Sequence, residues 1–183
     1  MKFIASFLLT LLVSLVSAQD YGSILPMKER ARVINELLED KIQNYLPEMM
    51  RTADIDMWIV VSREYNEDPI IKTMLPAEWL AARRRTILVF YDNGKEVETL
   101  AVARYNVGSS FKSAWDKEKQ PDQWERLSEI VTERNPRRIG INQSEHFGLT
   151  DGIVATDKAA LEKALGKRFA SRIVSAEPLA LSW

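Results

Sequence analysis

The amino-acid sequence predicts an α/β sandwich of three layers, in which helices pack against a mixed sheet of about five strands. Two observations support this fold class. Helical and strand patterns alternate along the chain, and the turn signal Asp92-Asn93-Gly94 joins two apolar runs as a hairpin. A hairpin pairs its strands antiparallel, whereas helical crossovers pair strands parallel, so the sheet should contain both orientations.

The opening helix is predicted from Pro26, because proline favours the first turn of a helix. Apolar residues then recur at steps of three and four, which places them on one helical face. They are Met27, Ala31, Ile34, Leu38, Ile42 and Tyr45. Pro47 should interrupt this helix, with a short continuation over residues 48–53.

The first strand is predicted at residues 57–62, where an apolar, β-rich run is typical of a strand buried on both faces. The two hairpin strands are predicted at residues 86–91 and 97–103. Residues 107–119 have weak periodicity, which indicates a loop.

Two further helices follow the hairpin. One should begin at Pro121 and end before Asn135, because the proline after Asn135 disfavours helical geometry there. The other should run from Asp157 to Leu165, with Thr156 as its cap and Gly166 as its end. Short strands are expected at residues 138–142 and from Ile173 onward.

Residues 1–18 have the features of a cleaved secretory signal. Lys2 gives a positive start, an uncharged apolar run follows, and Val16-Ser17-Ala18 offers small residues for cleavage before Gln19. The apolar run is shorter than the roughly 20 residues that a membrane-spanning helix needs. We therefore expect a secreted or periplasmic protein that has no membrane contact after cleavage of the signal.

Composition limits the chemistry of the chain. It contains no cysteine, so disulfides and thiol catalysis are excluded. Its formal net charge is −1, a balance that predicts no nucleic-acid partner. His146 is the only histidine and has no evident metal-ligand or nucleophile partner, so it is interpreted as a polar loop residue. No catalytic or metal-binding residue is predicted.

The best candidate for a substrate-proximal site is the loop after the first strand. Its residues Arg63, Glu64, Tyr65 and Asn66 offer a cation, an anion, an aromatic ring and an amide, a mixture suited to recognising a peptide. Ligands of open α/β sheets bind beyond the carboxyl ends of strands. The alternative is a solvated loop in which Arg63 pairs with Glu67 at the surface.

Two other motifs are weaker. Arg83-Arg84-Arg85 is too short for a nucleic-acid site and suggests a sheet edge or an interface. Asn142-Gln143-Ser144 matches a glycosylation sequon, a short pattern of low specificity.

Four segments resemble a known protein family in their residues and in their order along the chain. They are Lys28-Glu29-Arg30-Ala31, residues 57–69, residues 83–90, and Ile139-Gly140-Ile141-Asn142 together with Asp151-Gly152. Across residues 24–183 the chain resembles the N-terminal domain of the creatinase/prolidase superfamily, in the branch of Xaa-Pro aminopeptidase-like metallopeptidases. None of the four segments is a catalytic motif.

The resemblance implies a ribonuclease H-like N-terminal domain, followed in the family by a "pita-bread" domain that binds two divalent metals such as manganese. That second domain cleaves the bond before proline, and this sequence ends at Trp183, about where it should begin. The expected organisation is therefore a signal at residues 1–18, a creatinase/prolidase N-terminal-like domain at residues 19–183, and no catalytic domain. The chain alone is expected to be inactive and to hold no cofactor.

The implied function is that of a non-catalytic domain of an exported Xaa-Pro aminopeptidase-like metallopeptidase, which shapes the substrate pocket and the dimer. Its implied partners are a second copy or the catalytic domain, and proline-containing peptides only when that domain is present. The alternative is a stand-alone exported binding module that kept the fold without the enzyme. An enzyme that acts alone ranks third, since no nucleophile pair or metal site is evident.

Overall fold

The computed structural model describes residues 24–183. The expected signal at residues 1–18 lies outside the described residues. The chain divides into two units between Arg30 and Ala31. In the described part of the first unit, Arg30 Nε donates a 2.7 Å hydrogen bond to the Leu25 carbonyl. Every described strand lies in the second unit.

Six strands form one mixed sheet in the order β4-β3-β2-β1-β5-β6. Their bounds are β1 (Met57–Arg63), β2 (Arg85–Asp92), β3 (Val97–Val102), β4 (Lys112–Ser113), β5 (Ile139–Ile141) and β6 (Ile173–Ser175). The β1–β2 and β2–β3 pairs are antiparallel, and the other three pairs are parallel. The mixed sheet is confirmed. The sixth strand is β4, whose two residues are too few to give a periodic signal in the predicted loop.

Helices cover both faces of the sheet. They are α1 (Met27–Asp40), a π-helical segment (Lys41–Tyr45), α2 (Leu46–Thr52), α3 (Gln123–Arg134), α4 (Ala155–Ala170) and α5 (Glu177–Ser182), with 3-10 turns at Ile71–Thr73 and Gly148–Thr150. Among the described residues, none of these helices has the length and apolar character needed to cross a membrane.

The central strand β1 is buried on both faces, as its unbroken apolar pattern predicts. Trp58 and Val60 pack with residues of α2 and α5 on one face. Met57 and Ile59 pack with α3 and α4 on the other face. Two hydrophobic layers therefore hold the sheet, and each should contribute through the apolar area it removes from water.

The first helical face is only partly buried. Leu38 and Ile42 enter the core, but Ile34 and Tyr45 are exposed, so the predicted stripe is too broad. The buried residues continue at Leu46 and Met50, in steps of four. In a regular α-helix, residues four apart are rotated by about 40° relative to each other around the helix axis. The π-helical segment has more residues per turn, which offsets this rotation and keeps the buried residues on one face.

The later helices differ in how well their ends were predicted. Asp122 caps α3 by accepting from Trp124 N, and Asn135 ends it in a left-handed conformation, as the Asn-Pro signal suggests. For α4 the predicted cap is wrong, because Val154, and not Thr156, occupies the cap position. The predicted end at Gly166 agrees with the structure, since Gly166 has non-helical angles, φ 62° and ψ 174°, and a second helical segment follows this kink. The kink suits glycine because its φ is positive.

Candidate functional site

One edge of the sheet gathers the polar side chains that sequence reasoning singled out. The carboxyl ends of β1, β5 and β6 meet at this edge because these strands are parallel. The antiparallel β2 begins there, with Arg85 opposite Arg63. The predicted loop after β1 and the basic run before β2 are therefore neighbours.

Arg63 is held by a buried carboxylate. Its Nε and Nη2 atoms each donate a 2.6 Å hydrogen bond to the two oxygens of Asp157, and Nη2 also reaches Thr156 Oγ1 at 3.0 Å. Arg85 Nε lies 3.2 Å from the same carboxylate. The Arg63–Asp157 pair is bidentate, the geometry in which arginine binds carboxylates most strongly. Arg63 is thus fixed to the start of α4, and it does not pair with Glu67.

The rest of the loop is a tight turn. Asn66 N donates to the Arg63 carbonyl at 3.0 Å, and Tyr65 has a positive φ of 68°. Glu64 is tied to the basic run, since its backbone N donates to the Arg84 carbonyl at 2.6 Å and its Oε2 accepts from Arg84 N at 3.0 Å. Glu67 accepts from Tyr65 N at 3.2 Å.

The four predicted site residues lie in different surroundings, with Arg63 as the last residue of β1 and the other three in the turn after it. Arg63 and Glu64 have partners within the fold. Tyr65 is 93% exposed, and Asn66 is exposed beside it. The loop therefore presents an aromatic ring and an amide to solvent, together with the exposed Glu64 carboxylate, whose Oε2 accepts from Arg84 N.

Behind the loop lies a buried polar chain that runs from Trp58 to Asp68. Trp58 Nε1 donates to Asn142 Oδ1, and Asn142 Nδ2 donates to Asp68 Oδ2, each over 2.8 Å. Asp68 Oδ1 accepts from Ile70 N at 2.8 Å. Burial raises the pKa of the Asp68 carboxyl above its ordinary 3.8, while the hydrogen bonds from Asn142 and from backbone N–H groups act in the opposite direction.

This chain gives Asn142 a structural role. The Asn142 side chain is buried and its amide is engaged at both ends, so the sequon asparagine is inaccessible in the folded protein. Asp68 is likewise buried in the core and does not face the solvent at the end of β1.

A small pocket opens beside the loop, where β2 and β3 separate. It encloses about 200 Å³, and three of its six lining residues are arginines. We call it the arginine pocket, lined by Arg84, Arg85, Arg104, Tyr105, Trp115 and Gln123. Gln123 connects the two strands at the pocket, because its buried amide Nε2 donates to the Arg85 and Val102 carbonyls at their ends.

Metal ligands are not clustered. In residues 24–183 no group of three or more histidine, aspartate or glutamate side chains has a geometry that could hold a metal ion. His146 is exposed and lies with Ser144 and Glu177 in an open cleft on another part of the edge. Its backbone N donates to Ser144 Oγ at 3.0 Å.

Sequence reasoning missed Asp157 and Arg104 as parts of this edge. The sequence pattern indicates Asp157 only as the start of a helix, whereas in the structure its carboxylate binds Arg63 across 94 residues of sequence. Arg104 stands alone in the sequence, and only the separation of β2 from β3 brings it beside Arg84. Neither residue belongs to a local motif that could have revealed it.

Comparison of the chain with protein-family models, with curated proteins and with solved structures finds no match. The relationship to the creatinase/prolidase superfamily therefore remains a hypothesis.

Proposed function

We propose that this chain acts as the non-catalytic N-terminal domain of an exported Xaa-Pro aminopeptidase-like metallopeptidase, where it shapes the substrate pocket and the dimer. The observation that carries the proposal is the strand order. Apart from the short β4, the order is β3-β2-β1-β5-β6, and β2 alone runs against the others. An antiparallel meander followed by two crossover strands is the arrangement that a ribonuclease H-like domain would have.

The exposed loop supports a positioning role. Tyr65 stands almost free at the carboxyl end of the central strand, the place where α/β sheets bind ligands. Its ring can pack against a proline ring, and the Asn66 amide can pair with a peptide backbone group. The Arg63–Asp157 pair would hold the loop in place, because it ties the end of β1 to α4.

In this proposal the chain itself performs no bond cleavage. Two divalent metals, bound by a separate catalytic domain, would supply the hydrolytic chemistry. The residues of this chain would orient the peptide and restrict which side chains fit ahead of the proline. Such positioning contributes to catalysis by holding the substrate in a reactive geometry.

A fusion of this chain to a catalytic domain of the superfamily tests the proposal. Tyr65→Ala should raise KM for a proline-containing peptide or change the substrate preference, with little effect on stability, because the ring is exposed. Tyr45→Ala, which truncates another exposed tyrosine, is the matched control. Arg63→Ala is a poorer variant, because it would leave the buried Asp157 carboxylate with fewer partners.

Unchanged kinetics for Tyr65→Ala in a folded, active fusion would contradict the proposed role of the loop. A fusion that shows no activity, while the catalytic domain alone is active on the same peptide, would contradict the proposed domain relationship.

The alternative, a stand-alone exported binding module, is favoured by one observation. The arginine pocket is lined by residues of this chain, so the chain by itself offers a candidate ligand site. A module of this kind would bind its ligand with full affinity as the isolated chain, whereas a domain of a peptidase would need its catalytic partner.

A further inference from the structure

We propose that the arginine pocket binds a small organic oxyanion, a carboxylate or phosphate ester carried on a flat apolar body. This inference concerns the pocket and is independent of the proposed peptidase relationship. It follows from the charge of the lining, from donors without partners and from the aromatic walls.

The charge of the pocket is unbalanced. Arg84, Arg85 and Arg104 all line a space of about 200 Å³, and none of the six lining residues is acidic. Two carboxylates contact these arginines, Asp157 at 3.2 Å from Arg85 Nε and Glu64, which accepts from the backbone N of Arg84. Asp116 and Glu118 line an adjoining pocket together with Arg104 and Lys117, and they form no ion pair with Arg104. Positive charges gathered around one small cavity repel one another and concentrate anions there.

Most guanidinium donors of the pocket make no hydrogen bond within the described part of the fold. The guanidinium groups of Arg84 and Arg104 have no hydrogen-bond or ion-pair partner within residues 24–183. Arg85 is less available, because its Nε lies 3.2 Å from Asp157 Oδ1 and its guanidinium lies over the Trp124 ring. An incoming oxyanion would therefore be bound chiefly by the guanidinium groups of Arg84 and Arg104, which have no partner in the described part of the fold. Guanidinium groups favour carboxylate and phosphate oxygens because of their planar, forked geometry.

The walls of the pocket are fixed before any ligand arrives. Trp115 Nε1 donates to the Gln120 carbonyl at 2.7 Å, and Tyr105 OH donates to the Arg83 carbonyl at 2.9 Å. The Tyr105 ring also packs edge-to-face on Trp79, with ring centroids 5.5 Å apart. These hydrogen bonds use the polar ends of both side chains and leave their rings to line the pocket. A flat apolar group fits such rings, and preorganised walls reduce the entropy lost on binding.

The size of the pocket limits the ligand. Drug-sized molecules occupy cavities of roughly 300–1,000 Å³, so a smaller space suits a single oxyanion with one compact ring. Isothermal titration calorimetry can test this on the purified exported chain with four probes. Benzoate and phenyl phosphate carry both an oxyanion and a ring, benzamide carries the ring without the charge, and inorganic phosphate carries the charge without the ring.

We expect saturable binding of benzoate, phenyl phosphate or both, with benzamide and inorganic phosphate at least about tenfold weaker. The tighter of the two aromatic anions identifies the carboxylate or the phosphate ester as the preferred group. Binding should weaken as salt is added, because the arginines are partly exposed. No saturable binding of either aromatic anion up to about 10 mM would overturn the proposal, as would equal binding of benzamide or of inorganic phosphate.

Two variants locate the site. Arg104→Gln should weaken binding about tenfold or more while leaving the melting temperature unchanged, because the side chain has no partner in the described part of the chain. Arg84→Gln is a second variant with the same expectation. Arg83→Gln removes the same charge nearby, but Arg83 stacks on Trp79 and does not line the pocket, so it is the control. Equal loss in Arg83→Gln and Arg104→Gln would show non-specific attraction and overturn the assignment.

Discussion

Asp68 and Gly152 lie so close that a Cβ atom on residue 152 would stand 2.0 Å from Asp68 Oδ2 and 2.2 Å from its Cγ. The backbone of Gly152 also faces Asn142, because Gly152 N donates to the Asn142 carbonyl at 3.0 Å. Because glycine has no Cβ atom, residue 152 leaves room for the buried carboxylate of Asp68. This contact connects the loop after β1 to the segment that leads into α4.

Gly152→Ala should destabilise the fold by roughly 2–4 kcal/mol, because the new methyl group overlaps a side chain that is held by hydrogen bonds. Chemical denaturation measures the change. Gly148→Ala is the control, since nothing lies within 4 Å of a Cβ at that position. Adding Asp68→Ala to Gly152→Ala should cost less than the sum of the two single changes, because the clash is then absent. Equal stability of the two single glycine variants would contradict the close approach.

Asn142→Ala should destabilise the protein by roughly 3 kcal/mol. It removes the acceptor for the Trp58 indole N–H and a donor to Asp68, and both groups then remain in the core without these partners. The free energy of unfolding measures the change, and Asn66→Ala, at an exposed position, should lie within about 0.5 kcal/mol of the parent chain. A loss no larger than that of Asn66→Ala would show that the polar chain contributes little.

The strands and the buried centre could be predicted from the sequence because their signals are local. The hairpin at Asp92-Asn93-Gly94 has its turn residues together, and β1 is apolar at successive positions. The partners of the polar chain have no such signal. Trp58 and Asn142 are 84 residues apart, and Asn142 and Asp68 are 74 apart, so only the finished sheet brings them together.

The candidate site was predictable only in part, for the same reason. The strand pattern predicts a loop after β1 at an edge of the sheet. The state of the Arg63 side chain depends on Asp157, which binds it. Asp157 lies at that edge because it is in the first turn of α4, the helix after the parallel strand β5. The arginine pocket likewise depends on the position at which β2 and β3 separate, and no periodic pattern in the sequence indicates that position.

The stability of the fold should depend on pH through Asp92. A hydrogen bond from Arg51 holds the pKa of the Asp92 carboxyl below its ordinary 3.8, and charge attraction to Arg51 and a hydrogen bond from Gly94 N act in the same direction. The carboxyl therefore stabilises the folded state fully above pH 3.8 and loses this contribution as the pH falls through the lowered folded-state pKa.

Arg51→Gln should lower the melting temperature at neutral pH, and its difference from the parent chain should shrink as the pH falls below about 4. Thermal melts between about pH 2 and about pH 7 would measure this difference, because this range extends well to both sides of the ordinary carboxyl pKa. Lys163→Gln, which removes an exposed charge from α4, should show a difference that stays constant with pH. A pH-independent difference for Arg51→Gln would show that the pair with Asp92 does not control the titration.

The isolated chain should show no metal-dependent peptidase activity. The described residues hold no metal-ligand cluster, and residues 1–23 add only one acidic side chain, Asp20. A two-metal hydrolase needs several carboxylate or imidazole ligands around one space, and a single exposed histidine cannot provide them. The assay uses the purified chain on Xaa-Pro peptides with added manganese, cobalt or zinc, beside an active Xaa-Pro aminopeptidase as the positive control. Turnover that co-purifies with the chain through successive columns and disappears on chelation would contradict the prediction, and it would place a catalytic centre where neither the sequence nor the fold indicates one.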